Sequence, residues 1–208
     1  MVTSLNHPLI SHKLSQLRDH TTSSSDFRRT LREISWLLAY ESTRRLQTEK
    51  ITISTPLEET QGERLPSPSP CIVSILRAGN GLLDGFLDII PEAAVGFLGL
   101  ARNRETLQPE KYYCKLPSQI EKRQVLLVDP MLATGGSTIA SLDTLKNHGA
   151  QDIVFACLVA APEGIARMQE AHPEVPIITA AKDRCLNDIG YILPGLGDAG
   201  DRIYNTGA

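Results

Sequence analysis

Apolar residues recur along this chain in two rhythms, and the change between them divides it. Over the first fifty residues the rhythm is helical. Phe27, Leu31, Ile34 and Leu38 stand four, three and four residues apart, which makes one apolar stripe on a helix. Ser23–Ser25 supply a turn and an N-cap for that helix, and His7-Pro8 opens a shorter one before it. Arg28, Arg29, Arg32 and Arg44 fall mostly off the stripe, as a solvated basic face or a subunit contact. ITIST (51–55) leans towards strand, and a polar stretch follows it. LPSPSP (65–70) then reads as a linker, because alternating prolines forbid both a helix and a strand ladder.

Beyond that linker, short continuous apolar runs alternate with helical segments. CIVSIL (71–76), AAVGFLGLA (93–101), QVLLV (124–128), DIVFACLVA (152–160) and PIITAA (176–181) predict buried strands. NGLLDGFLDII (80–90), GSTIASLDTLKNHG (136–149) and PEGIARMQEAH (162–172) predict the helices between them, the second ending on a glycine and the third opening on a proline. Strands joined through helices predict an α/β fold: a mostly parallel, twisted sheet with helices on both faces. Residues 103–120 are polar and predict a protruding loop or hairpin, and the Gly- and Asp-rich tail, 182–208, reads as irregular. The expected organisation is one domain over 1–208, with a helical arm (1–50), an α/β core (71–181), a lid or hairpin (103–117) and a tail (182–208).

Composition narrows the class. With 208 residues, 41% hydrophobic and 22% charged, the chain can bury a sizeable core without disulfides or a structural metal. The balance of 21 basic against 24 acidic residues, a net of −3, disfavours broad nucleic-acid binding and leaves room for a local basic pocket. Cys71, Cys114, Cys157 and Cys185 show no zinc-type pairing, and Cys157 sits in an apolar run as a core residue. Free thiols suit a reducing, cytoplasmic setting. No signal peptide is expected, and the longest apolar run, Ile153–Pro162, is about half of a membrane span.

The sharpest chemistry lies in VLLVDPMLATGGSTIAS (125–141). An apolar strand runs into Asp129 and then into a loop of small residues that opens a helix. Thr134, Gly135 and Gly136 let a ligand approach the backbone, and Ser137 and Thr138 add hydroxyls at a helix N-terminus that attracts phosphate. Asp129 can accept from sugar hydroxyls or a metal's waters. The pattern fits neither the Walker A nor the dinucleotide fingerprint. By themselves these residues also suit an ordinary strand–loop–helix connection with capping hydroxyls.

This segment resembles the phosphoribosyl diphosphate (PRPP) signature of the type I phosphoribosyltransferases. Pro130 stands where most of that superfamily carries a second acidic residue, and DPMLATGGS is the form found in uracil phosphoribosyltransferases. HPLISHKLSQLRD (7–19), the Phe27–Glu41 pattern, ILRAGNGLLDG (75–85), LARNRETLQP (100–109) and VAAPEGI (159–165) are similar to further segments of that family. GYILPGLGDAGDR (190–202) is the most specific of them. Asn80, in place of an apolar residue, and Arg184-Cys185 depart from the family pattern.

The resemblance implies the type I phosphoribosyltransferase fold with a C-terminal or hairpin hood, and transfer of a phosphoribosyl group from PRPP to N1 of uracil, giving UMP and diphosphate. It implies Arg77, Arg102 and Asp129 as the catalytic residues. PRPP would also meet Pro130, Met131, Leu132, Ala133, Thr134, Gly135, Gly136, Ser137 and Asp198. Ile192, Gly197, Asp198 and Ala199 would read the acceptor–donor–acceptor edge of uracil through the backbone, which rejects cytosine. A strained peptide is implied beside Arg77, in the Ala78-Gly79 loop. Mg²⁺ is implied as a cofactor held mainly by PRPP rather than by a protein cage. A homodimer or homotetramer and GTP as activator follow from the same resemblance; nucleic acid and membrane are not expected partners. The alternative is a nucleotide-sensing, RNA-binding regulator of pyrimidine genes built on the same fold.

Overall fold

A computed structural model describes residues 1–102 and 109–207, with Arg102 and Pro109 described by backbone alone. The chain opens with a short strand, β1 (Val2–Ser4), then helices α1 (Pro8–Arg18) and α2 (Ser24–Ser42). A hairpin follows, β2 (Glu49–Ser54) and β3 (Glu59–Arg64), then β4 (Cys71–Leu76), α3 (Asn80–Ile89), β5 (Ala94–Arg102) and β6 (Pro109–Lys115). Next come β7 (Gln124–Val128), β8 (Met131–Leu132), α4 (Gly136–Asn147), β9 (Asp152–Ala160), α5 (Pro162–Ala171) and β10 (Ile177–Lys182). The chain closes with β11 (Cys185–Leu186), β12 (Ile192–Leu193) and α6 (Ala199–Tyr204).

The main sheet runs β1-β10-β9-β7-β4-β5-β6, with β8 added beside β9. All of its pairings are parallel except β5 with β6, a hairpin at one edge. The strands alternate between two cores. Ile72, Leu126, Val128 and Val154 face the layer of α1, α2, α3 and α6, whose Leu17, Phe27, Leu38, Phe86 and Ile203 they meet. Val73, Val125, Leu127 and Phe155 face α4 and α5 through Leu142, Leu145, Ile165 and Met168. A strand buried on both faces has no polar side to show, which is why these runs are apolar throughout.

The predicted parallel strands and long helices are present, within a few residues at their ends. Five elements depart from the sequence reading. β1 lies in a stretch read as helical, where Val2–Ser4 extend the sheet beside Ile177–Thr179. ETQGER pairs with EKITIS as a free-standing hairpin. The tail read as irregular carries the β11–β12 pair and α6. α2 starts as predicted, with the Ser23 hydroxyl accepting from the Asp26 N–H.

Candidate functional site

In a parallel sheet the carboxyl ends of the strands share one edge, and the loops that leave them meet there. Three loops do so here: the one after β4, the one after β7, and the tail after β10.

The first loop begins with a cis peptide between Leu76 and Arg77. It is pressed against the sheet, since a methyl at Gly79 would lie 2.6 Å from the carbonyl oxygens of Ile75 and Val128. Only glycine allows that approach. The Arg77 guanidinium is 60% exposed and stands 3.9 Å from Asp201 of α6. Its own carbonyl accepts a hydrogen bond of 2.9 Å from the Tyr204 hydroxyl. Leu76, Arg77, Asn80, Tyr112 and Tyr204 line a cleft of about 380 Å³.

The second loop starts at Asp129. Its side chain is only half-buried by area, yet protein surrounds it closely enough that burial pushes its carboxyl up to about 7, helped by the negative charge of Asp198 and opposed by a hydrogen bond from the Met131 N–H. Asp129 and Asp198 are therefore near neighbours, although 69 residues separate their numbers. Pro130 accepts from the N–H groups of Leu158 and Val159, and Met131 and Leu132 form β8 against β9. Leu132 is fully buried. These residues anchor the loop. Its free part is Ala133–Ser137, which reaches α4 through Gly135 at φ 80°. That glycine provides no side-chain cap, so the first-turn N–H groups of α4 are left for an anion. α5 braces the loop from behind: Arg167 donates to the Thr134 carbonyl at 2.8 Å, and a methyl at Gly164 would lie 2.3 Å from the Ala133 oxygen.

The third loop folds over the other two. A methyl at Gly190 would lie 3.6 Å from the Thr134 methyl, and one at Gly200 would lie 3.9 Å from Ala78. Ile192 and Ala199 are buried in the core, whereas Gly197 (φ 79°) and Asp198 are exposed between them. Asp198 caps α6 by accepting from the Asp201 N–H at 3.0 Å. The site thus combines an uncapped helix N-terminus reached through a small-residue loop, an arginine, two carboxyl groups and a glycine-bearing tail loop.

Known proteins resemble this chain along its length. The chain matches the family model for uracil phosphoribosyltransferase over residues 4–206. A uracil phosphoribosyltransferase of Paracoccus denitrificans is 56% identical over 205 residues, covering 99% of this chain and 97% of that protein. The chain belongs to the uracil phosphoribosyltransferase family.

A solved structure of an Aquifex aeolicus protein superposes with a TM-score of 0.95 at 40% identity, covering 100% of both chains. Adenine phosphoribosyltransferase of Trypanosoma brucei, solved with AMP, pyrophosphate and ribose-5-phosphate, superposes with a TM-score of 0.59 at 15% identity, covering 95% of this chain and 88% of that one. The latter match shows the shared type I phosphoribosyltransferase fold.

Against that family background, Arg77, Asp129, Ala133–Ser137, Gly197 and Asp198 come together at one edge of the sheet. Arg102 ends β5 at the same edge, in register with Pro109, and its side chain lies outside the described residues, as do residues 103–108 of the predicted lid. The sequence reading missed the residues that hold the tail in place. Arg18 and Asp183 clamp the Gly195 turn, and Arg202 donates to the carbonyls of Leu17, Asp19 and Leu196 while stacking 4.4 Å from the Phe27 ring. Both arginines lie in segments that carry the family resemblance, HPLISHKLSQLRD and GYILPGLGDAGDR, which gives neither of them a role. Only the fold shows that their partners are carbonyls and a buried carboxylate.

Proposed function

We propose that this protein transfers the 5-phosphoribosyl group of PRPP to N1 of uracil, forming UMP and diphosphate in pyrimidine salvage. The observation that carries this reading is the meeting of the Ala133–Ser137 cradle, Arg77 and the Gly197-Asp198 loop at one sheet edge. The 5′-phosphate sits on the first turn of α4, where free N–H groups and the helix dipole favour an anion. Asp129 accepts from the ribose hydroxyls. Arg77 and Arg102 grip the diphosphate, through the planar multi-donor contacts that suit arginine. As the bond from C1 to the diphosphate oxygen breaks, the C1–N1 bond forms and N1 gives up its proton to the departing diphosphate; charge builds on the leaving group, and cations that bind it best at that point lower the barrier. The ribosyl centre gains oxocarbenium character, so water must be kept out, the task we assign to the 103–117 segment as a lid.

Uracil lies against the tail loop. Ile192 and Ala199 turn their side chains into the core, so they act through backbone groups, as do Gly197 and Asp198. Magnesium fits as a passenger of the substrate. Among the described residues no three His, Cys, Asp or Glu side chains converge on a metal, while the neighbouring carboxyl groups of Asp129 and Asp198 suit a cation held mainly by PRPP oxygens, whose charge would favour the ionised form of Asp129. Such a cation would neutralise leaving-group charge.

Self-association as a dimer or tetramer is supported by exposed apolar side chains on α2 (Trp36, Tyr40) and on the β2–β3 hairpin (Ile53, Leu57). A cytoplasmic location is supported by four free cysteines. Among the described residues no helix is long and apolar enough to cross a membrane. GTP activation rests on family resemblance, and a GTP arm in the assay tests it.

Arg77→Ala tests the site. UMP formation is expected to lose about 100-fold in kcat/KM, by analogy with the loss of one preorganised charge-stabilising donor. Unchanged kinetics would remove Arg77 from the site.

A further inference from the structure

We propose that Tyr204 is a positioning residue for the diphosphate-binding loop, acting through the hydrogen bond from its hydroxyl to the Arg77 carbonyl. The inference rests on the reading that Arg77 grips the diphosphate.

The buried Ser74 hydroxyl donates to Asn80 Oδ1 at 2.8 Å. That bond fixes the orientation of the Asn80 amide, and Asn80 lines the same cleft as Arg77 and Tyr204. The Tyr204 hydroxyl donates to the Arg77 carbonyl at 2.9 Å.

The geometry matters because of what Arg77 must do. A carbonyl oxygen turned towards a diphosphate would repel it. The Tyr204 hydroxyl holds this one on α6 instead. The same ring lies 5.9 Å from the Arg77 guanidinium, and Asp201, one turn earlier on α6, lies 3.9 Å from it. Tyr204 therefore engages both the backbone and the charge of Arg77. Its own place is fixed, because the neighbouring Ile203 is buried and the Ile203 carbonyl accepts from Arg28 at 2.8 Å.

α6 is six residues long, and Asp198 of the base loop is its N-cap. One rigid turn-and-a-half thus carries the base loop at its start and the anchor of the diphosphate loop at its end.

The test compares Tyr204→Phe, Tyr204→Leu and Arg77→Ala, by KM for PRPP, KM for uracil, kcat and product inhibition by diphosphate. Tyr204→Phe removes one hydroxyl and keeps the ring. It is expected to raise KM for PRPP and the diphosphate inhibition constant about five-fold, the worth of one hydrogen bond, with KM for uracil held within about two-fold. Tyr204→Leu removes the ring as well and is expected to raise both constants at least as far. Equal rises in both KM values, or no change, would overturn the proposal. An effect of Arg77→Ala with a silent Tyr204→Phe would sink the positioning role alone. A silent Arg77→Ala would sink the diphosphate site and this inference with it.

Discussion

Arg18 grips both carboxylate oxygens of Asp183, 165 residues further along the chain, at 2.9 and 2.5 Å. The same guanidinium donates to the Gly195 carbonyl at 2.6 Å, and the Gly195 N–H donates back to Asp183 at 3.0 Å. The first helix therefore sets the turn that leads into the base loop. Asp183 has only 3% of its side chain exposed, so removing its partner strands a buried charge. Arg18→Ala is expected to lose about 3 kcal/mol in urea unfolding and to raise KM for uracil more than KM for PRPP. Lysine at this position keeps the charge but not the fork, and should recover only part of the loss.

Asp129 trades stability for chemistry. Its carboxyl is raised by burial from 3.8 to about 7, so the folded state holds its proton more tightly than the unfolded chain does. That contribution to stability is complete below about 3.8 and is lost as pH rises towards about 7. Asp129→Asn is neutral throughout. Its melting temperature should match the parent at low pH, rise above it between those values, and keep a constant lead beyond, while UMP formation is lost. Parallel melting curves across pH would contradict this.

Asp88 carries the opposite sign. Hydrogen bonds from Arg32 and Trp36 hold its carboxyl down at about 2. The link is intact above the unfolded value of 3.8 and is lost as pH falls through about 2. Asp88→Asn should melt earlier than the parent at neutral pH, and the two curves should converge in acid.

Gly164 supports the phosphate cradle by its lack of a side chain. A methyl there would lie 2.3 Å from the Ala133 oxygen and 2.9 Å from the Leu132 oxygen. Gly164→Ala is expected to lose about 1–3 kcal/mol of stability by overpacking and to raise KM for PRPP as the loop is pushed off α5. Unchanged kinetics would mean that the loop yields freely.

Much of this was legible in sequence, for reasons that differ by element. CIVSIL, QVLLV and DIVFACLVA are buried on both faces, so each announces itself as an apolar run. DPMLATGGS carries its chemistry in consecutive residues, and one loop holds them together. β1 is three residues at a sheet edge, too short to show a period. ETQGER pairs through its backbone and exposes nearly every side chain, so it has no apolar face to read. α6 has two glycine or alanine residues at its start and depends on Asp198 and Arg28 for its ends. The clamps made by Arg18 and Arg202 join residues more than 160 positions apart, which no local pattern encodes.

The most direct test of the proposed activity is product formation with PRPP and magnesium against uracil, cytosine, orotate and hypoxanthine in parallel. UMP from uracil, with no nucleotide from the other bases, is the expected result, because the Gly197-Asp198 loop is proposed to read the uracil edge through its backbone. Turnover of another base in place of uracil would keep the phosphate cradle and overturn the base loop. Tight binding of UMP without turnover of any base would contradict the activity and favour a nucleotide-sensing regulator.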